Sequence, residues 1–470
     1  MKEEIIKKLE EIVGPNWVDT DSERVISYSR EQTNNAYDLV TPQPVEGSVI
    51  VKPAGAQEIA EVLKYANQEL IKVIPKGAGT GLSANAIPTE PSIILSVERL
   101  NSILEVDEEN LMVSCETAVT LGDLIEELKK NDKLYFPLHP GDEGAQIGGM
   151  VAMNAGGVRA VKHGIMRDQV KGLEAVLPTG EIVSFGGKFG KLLKNNAGYD
   201  LMQLLIGSEG TLGVITKVVL KLYPEPKATG TLIIPYQKRR NAFQTVPKIL
   251  QEGIIPMAIE YMEKEEIEDA AQGIGKEWPS KEGDSYLMVI LAEDKEDTLY
   301  DKAKVIGEIC EEVGAGEILI AETNAEQQNI LEIRSHVLPA IADKIVDSPD
   351  VTVPRSKLAE YLDQLDQLAE KYNTKIPVIA HAGDGNLHPI ILKEEGEVPS
   401  YYDQLKEEIY QIAVELGGTV TGEHGVGMLR LKFLPLQLSQ AEQQIMWKIK
   451  EAFDPNEILN PGKAVVKVLN

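Results

Sequence analysis

Three glycine-rich stretches, each beside a strand-like run, constrain this chain more than any other feature. The first is Pro75, Lys76, Gly77, Ala78, Gly79, Thr80, Gly81, Leu82 and Ser83, which follows the apolar run ending at Pro75. Gly77, Gly79 and Gly81 alternate, so successive backbone N–H groups can turn inward around an anion. The spacing is neither the Walker pattern nor a G-x-G-x-x-G helix start. The second stretch runs from Pro140, Gly141 and Asp142 through Ile147, Gly148 and Gly149 to Asn154, Gly156 and Gly157. The third holds Gly207, Glu209, Gly210 and Gly213 and leads into a strand that includes Ile215. Any one of them reads as a tight turn. Together they describe backbone kept bare of side chains so that a planar or pyrophosphate-bearing ligand can approach.

Around these stretches the first half alternates strands and helices. Strands are expected at 48–53, 72–75, 92–96, 111–116, 172–177 and 214–222, with helices at 57–69 and 121–130. Apolar residues at Ile59, Val62, Leu63 and Ala66 mark one face of the first helix. Tyr223-Pro224-Glu225-Pro226 breaks the pattern and reads as a boundary. From Thr229 the texture changes. Strand runs (LIIPY, SYLMVILA, EILIA, VTVP) alternate with charged helices such as 294–313, the pattern of an α+β domain with an antiparallel sheet. After Gly417 the chain is glycine-rich again and ends in a helix and Asn460-Pro461-Gly462-Lys463.

Charge excludes several partners. With 74 acidic against 47 basic residues the net charge is -27, so no nucleic acid is expected, nor simple docking on anionic lipid. Cys115 and Cys310 are isolated and no C-x-x-C occurs, which leaves no thiolate cage for an iron–sulfur cluster. Two lone cysteines suggest buried thiols in a reducing compartment. The first fourteen residues, MKEEIIKKLEEIVG, read as a charged amphipathic helix without the apolar core of a signal peptide. No run approaches a membrane span. A cytoplasmic protein is the expectation.

Three of the six histidines fall in two short motifs, His381-Ala-Gly-Asp-Gly-Asn-Leu-His388 and Gly422-Glu423-His424-Gly425. Asp384-Gly385 is a strong two-residue hairpin signal. Counting outward from it, His381 faces His388, which brings two imidazoles within reach of one metal ion. The second motif can add a carboxylate ligand, Glu423, and an imidazole base, His424. Two His and one carboxylate leave coordination positions open for a substrate. Any one of these His alone is more simply a satisfied core or surface residue; the joint pattern is not.

Taken together, the glycine stretches resemble the FAD-binding domain of the vanillyl-alcohol oxidase and p-cresol methylhydroxylase family, and the resemblance spans essentially the whole chain. It implies an α+β protein. A PCMH-type FAD-binding domain of two subdomains would occupy 1–225, an antiparallel-sheet α+β cap domain 226–416, and a C-terminal helical segment returning to the FAD domain 417–470. It also implies that the stretches quoted above, with Asn460, bind FAD. Some members of the family attach FAD through a His in or near the first loop. Thr80, Gly81, Leu82 and Ser83 offer neither His nor Cys, so noncovalent FAD is expected.

HAGDGNLH with GEHG is similar to the signature of a subfamily that includes D-lactate dehydrogenases, D-2-hydroxyglutarate dehydrogenase and the flavin subunit of glycolate oxidase. The resemblance implies that His381, His388 and Glu423 bind one divalent metal ion, with Zn, Fe, Mn and Co all suited. It makes His424 the general base and Arg334 the group that binds the substrate carboxylate, with Lys357 a second candidate. In 2-hydroxyglutarate dehydrogenases a Thr one turn after that Arg and an Asn two positions after the second ligand His add polar contacts. Here Leu338 and Ile390 stand there, favouring a short methyl-bearing acid such as D-lactate. The expected activity is oxidation of a small D-2-hydroxy acid to the 2-oxo acid. Electrons would pass to a partner protein, an electron-transferring flavoprotein first and an iron–sulfur subunit as alternative. A flavin-bearing electron-transfer subunit with no substrate oxidation of its own is the reading from another class, and it predicts a broken metal motif.

Overall fold

The computed structural model describes residues 1–131, 133–188 and 190–467. The chain forms two units. The first comprises Met1–Ala155, Ile165–Glu225 and Glu423–Asn470, the second Gly156–Gly164 and Pro226–Gly422.

The first unit holds two main sheets. In the smaller, Val18–Asp19, Val49–Val51, Ile93–Ser96 and Val73–Lys76 lie in that spatial order. The last three are parallel, and every residue of Val49–Val51 and Ile93–Ser96 is buried. Such strands read as continuous apolar runs because both faces are covered. Helix Ala56–Glu69 buries Ile59, Val62, Leu63 and Ala66. The larger sheet is antiparallel, in the order Ile103–Asp107, Met112–Glu116, Val214–Lys221, Val170–Val176, Ile182–Phe185. Helix Leu121–Lys129 begins at a capping box in which Thr120 and Asp123 satisfy each other's amides. The C-terminal segment is tied to strand Val73–Lys76: Val73 N donates to Ile458 O (2.8 Å) and Asn460 N to Val73 O (2.9 Å).

The second unit is built on a seven-stranded sheet. Its order is Leu319–Ala321, Ala228–Tyr236, Ser285–Glu293, Ala258–Glu263, Val378–His381, Asn386–Pro389, Val351–Thr352, with every pair antiparallel. The strand Ala258–Glu263 is not anticipated by the sequence pattern, and it carries a fully buried glutamate, Glu260. Helix Glu296–Glu312 faces the sheet with Leu299, Ala303, Ile306 and Cys310. Two short pieces join this unit through local bonds. Lys162 Nζ donates to Ala292 O at 2.7 Å. Thr419 N donates to Thr352 O at 2.9 Å, so the return to the first unit comes after Gly422 rather than at Gly417. Among the described residues no helix is long and apolar enough to cross a membrane.

Candidate active site

In the first unit the first glycine stretch is a loop whose amides are left over. Among the described residues none of the N–H groups from Gly77 to Ser83 donates to a protein acceptor, while the carbonyls of Gly79, Gly81 and Ser83 accept from Gln32, Thr33 and Met428. Carbonyls tied back and amides left available are what an anion-binding loop requires. The loop is closed by Glu31, whose carboxylate accepts from Asn85 N (2.9 Å) and Ala86 N (2.6 Å). Lys76 turns into the protein instead. Its buried ammonium donates to Arg30 O, and burial lowers its pKa.

The other stretches meet this loop. Gly207 N and Glu209 N donate to Val151 O (3.0 Å) and Ala152 O (2.8 Å), which docks the third stretch on the helix Ile147–Met153. A Cβ on Gly210 would touch Pro75, and one on Gly77 would touch Gln146 Oε1. Asn460 Nδ2 donates to Glu209 O (2.8 Å) and Asn85 Oδ1 (3.0 Å). Three buried polar atoms at these stretches, Ser83 Oγ, Ser208 Oγ and Gln146 Oε1, have no partner among the described residues. Gly141 lies in an exposed turn, Ile215 in the strand behind, and Gly156 and Gly157 start the short piece that joins the second unit.

The final stretch of this unit begins with Glu423 and His424. Glu209 is buried, and its carboxylate accepts from Val426 N (2.8 Å) and Gly427 N (2.7 Å). Burial nevertheless holds its pKa above the usual carboxylate value. Arg430, 1 % exposed, donates to Leu82 O (3.2 Å) and Gly425 O (3.3 Å) and places Nη2 3.3 Å from His424 Nδ1. Sequence reasoning missed Glu31 and Arg430. An arginine six residues beyond the imidazole was the available signal.

In the second unit the histidine hairpin forms with a different register from the one expected. His381 pairs with Asn386, and His388 pairs with Ile379, so the loop holds Ala382, Gly383, Asp384 and Gly385. The expected two-residue turn fails because Gly383 N donates to Ile259 O on the neighbouring strand (3.0 Å), while Asp384 Oδ1 accepts from Asn386 N (3.2 Å). Gly385 takes φ +90° and lies against Val353 O, where a side chain has no room. The shift is by two residues, so both imidazoles keep to one face as diagonal neighbours.

Each imidazole stands beside a buried carboxylate. His381 Nδ1 lies 2.8 and 3.0 Å from the two oxygens of Glu260, and His388 Nδ1 lies 3.8 Å from Asp350 Oδ1. Burial pushes the Glu260 carboxyl up, but the charges of His381 and Arg334 outweigh it and hold the pKa below the usual value. An ionised carboxylate only accepts, so His381 keeps a proton on Nδ1, and in the neutral ring Nε2 is the nitrogen that carries the lone pair. Asp350 also accepts from Asn386 Nδ2, Thr421 Oγ1 and Gly422 N, each at 2.8 Å. Gly422 is the residue before Glu423. Arg334 donates through Nε (3.1 Å) and Nη2 (2.6 Å) to Glu260 Oε2. Lys357 stays outside this network, 42 % exposed and paired with Glu360. Ile390 is buried and Leu338 half-buried. Glu260 and Asp350 were missed by sequence; a lone carboxylate inside an apolar strand, AIEYM, was the signal for the first.

The family model for FAD linked oxidases, C-terminal domain, matches residues 225–464, and that for an FAD binding domain matches 47–186. The D-lactate dehydrogenase of Archaeoglobus fulgidus is 40 % identical over 92 % of this chain and 94 % of its own length. The chain belongs to the FAD-linked oxidase family. Another relative of this FAD-linked oxidase, the glycolate oxidase subunit GlcD of Bacillus subtilis, is 35 % identical over 99 % of this chain and 97 % of its own. The fold is shared with p-cresol methylhydroxylase with substrate bound, at TM-score 0.78 and 16 % identity over 98 % of this chain and 96 % of that one. FAD is therefore a cofactor of this oxidase, and a loop with available amides, as at Gly77–Ser83, has the chemistry to suit a pyrophosphate.

Proposed function

We propose that this chain oxidises D-lactate, or a D-2-hydroxy acid of similar size, to the 2-oxo acid with noncovalently bound FAD. The observation that carries the reading is His381, whose Nδ1 is held by a buried carboxylate so that Nε2 presents a ligand lone pair on the face shared with His388. The Archaeoglobus fulgidus relative that carries the name D-lactate dehydrogenase supports the substrate. So do the apolar positions Leu338 and Ile390, which suit a methyl group better than a second carboxylate.

His381, His388 and Glu423 would hold one divalent cation, Zn, Fe, Mn or Co, which would supply Lewis acidity for the substrate hydroxyl. FAD, when bound, supplies the two-electron acceptor for the hydrogen on the substrate Cα. Arg334 uses Nε and Nη2 on Glu260, and its remaining nitrogen, Nη1, donates to the substrate carboxylate and sets its orientation. His424 takes the hydroxyl proton at Nε2. A guanidinium only donates, so the contact of Arg430 with Nδ1 favours the Nε2–H tautomer of the neutral ring. Acting as base means giving up that 3.3 Å contact. With a charged donor the cost is about 1.5–3 kcal/mol, which offsets part of the roughly 10²- to 10⁴-fold that a positioned base supplies.

Two lone cysteines build no iron–sulfur cluster in this chain, so electrons leave to a partner protein, and an electron-transferring flavoprotein is the acceptor that the overall resemblance favours. Both cysteines are free and buried, which supports a reducing compartment, the cytoplasm. The Bacillus subtilis relative, named as a glycolate oxidase subunit, supports a second reading as a flavin subunit working beside an iron–sulfur subunit. Anaerobic addition of D-lactate, L-lactate or glycolate to the FAD-loaded protein tests all of this. Bleaching of the visible flavin band by D-lactate ahead of the others is expected. Faster bleaching by glycolate favours the second reading, and no bleaching by any of them leaves an electron-transfer subunit.

A further inference from the structure

Glu260 belongs to no motif, yet it is the most constrained charged residue of the second unit. It is 0 % exposed on an interior strand whose other residues are apolar or aromatic, apart from Glu263 at its end. A carboxylate in such a place is strongly disfavoured unless it is paired and hydrogen-bonded. Here the pairing is split. One oxygen, Oε1, approaches only His381 Nδ1 among the described residues, at 2.8 Å. The other, Oε2, receives Nε and Nη2 of Arg334 and lies 3.0 Å from the same imidazole nitrogen. The three residues come from three separate elements, the strand Ala258–Glu263, the helix Asn324–Ser335 and the strand Val378–His381.

We propose that Glu260 is a positioning residue that orients a metal-ligating imidazole and a substrate-binding guanidinium at once, so that cation affinity and carboxylate recognition depend on one shared acceptor. The proposal rests on the reading of His381 as a metal ligand and Arg334 as the carboxylate donor. Toward His381 the carboxylate fixes the tautomer and the ring plane, as outer-shell acceptors of metal-bound histidines do. Toward Arg334 it holds Nε and Nη2 and turns Nη1 outward. Rotating the Glu260 carboxyl away from one partner moves it from the other, because Oε2 serves both.

The test uses the FAD-loaded protein stripped of metal by a chelator, titrated with Zn2+ alone by calorimetry, beside steady-state kinetics with D-lactate. Glu260→Gln keeps the shape and removes the charge. It is expected to weaken Zn2+ binding about 10- to 100-fold, the range for loss of an outer-shell partner, and to raise KM more than it lowers kcat. Glu260→Asp, which keeps the charge on a shorter stem, is expected to fall between Gln and wild type in both readouts, and it carries the test if Glu260→Gln does not fold. Arg334→Lys is expected to raise KM and leave Zn2+ affinity within about twofold, since Glu260 still faces a cation. A Glu260 variant with a lower melting temperature but wild-type Zn2+ affinity and KM overturns the positioning role. His381→Ala separates the two levels. If it binds Zn2+ as wild type does, the metal reading falls and Glu260's role with it; if it loses Zn2+ while Glu260→Gln does not, only the present proposal falls.

Discussion

His388 lies diagonally across its hairpin from His381, with ring centroids 5.5 Å apart and planes at 86°. The near-perpendicular rings do not stack, and their nitrogens stand on one face of the hairpin. Each ring has a buried carboxylate on its Nδ1 side, Glu260 for His381 and Asp350 for His388. That combination has the chemistry of a ligand pair.

Removal of the cation should stop turnover and spare the flavin. After chelation the visible flavin spectrum should be unchanged, D-lactate should no longer bleach it anaerobically, and one of Zn, Mn, Fe or Co should restore bleaching. Full turnover in a preparation shown metal-free by elemental analysis would contradict the ligand assignment.

His424→Ala should retain FAD and lower the rate of flavin reduction by D-lactate about 10²- to 10⁴-fold, the usual worth of a positioned base. Stopped-flow absorbance under nitrogen reads this directly. A wild-type reduction rate in the variant would remove His424 from the proton transfer.

Gly422→Ala should damage the second unit locally. A Cβ there runs into Asn386 Nδ2 and Thr352 Oγ1, two atoms fixed by the sheet and by Asp350. Overpacking of this kind costs about 1–3 kcal/mol, and it displaces the residue that precedes Glu423. Thermal unfolding should show the loss, together with weaker metal retention; an unchanged melting curve would mean the segment moves aside freely.

Glu266 should make the second unit less stable in alkali. Burial pushes its carboxyl up to about 7, and Oε2 has no partner among the described residues. Below the unfolded value of 4.5 the group is protonated in both states and costs nothing. As pH rises the unfolded chain ionises first, so stability falls until the folded group ionises near 7. Glu266→Gln should therefore match wild type at acid pH and exceed it by roughly 3 kcal/mol at most above neutrality. Denaturant melts at the two ends of that window decide it, and a pH-independent difference would count against the burial argument.

Cys115 and Cys310 should be inert to an aqueous disulfide reagent in the native protein and both react after unfolding. Burial raises their thiols to about 12 and about 11 respectively, so almost no thiolate exists at neutral pH. A titratable thiol in the native state would show that one of these positions opens.

Much of this protein is legible residue by residue. The apolar run at Val49–Val51, the amphipathic helix Ala56–Glu69, the break at Pro226 and the bare loops from Gly77 onward each depend on neighbours a few positions away, and local chemistry settles them. The motif around Asp384 likewise shows in sequence that His381 and His388 share one hairpin. What the sequence could not decide is how separate segments meet. The hairpin register was set by Ile259, which takes the Gly383 amide that a tighter turn would have used. Glu260 reaches His381 across 121 residues of chain, and Asp350 reaches Gly422 across 72. Contacts of that kind exist only once strands from distant segments have paired, because the bonds are made by sheet order and buried packing and not by any spacing along the chain.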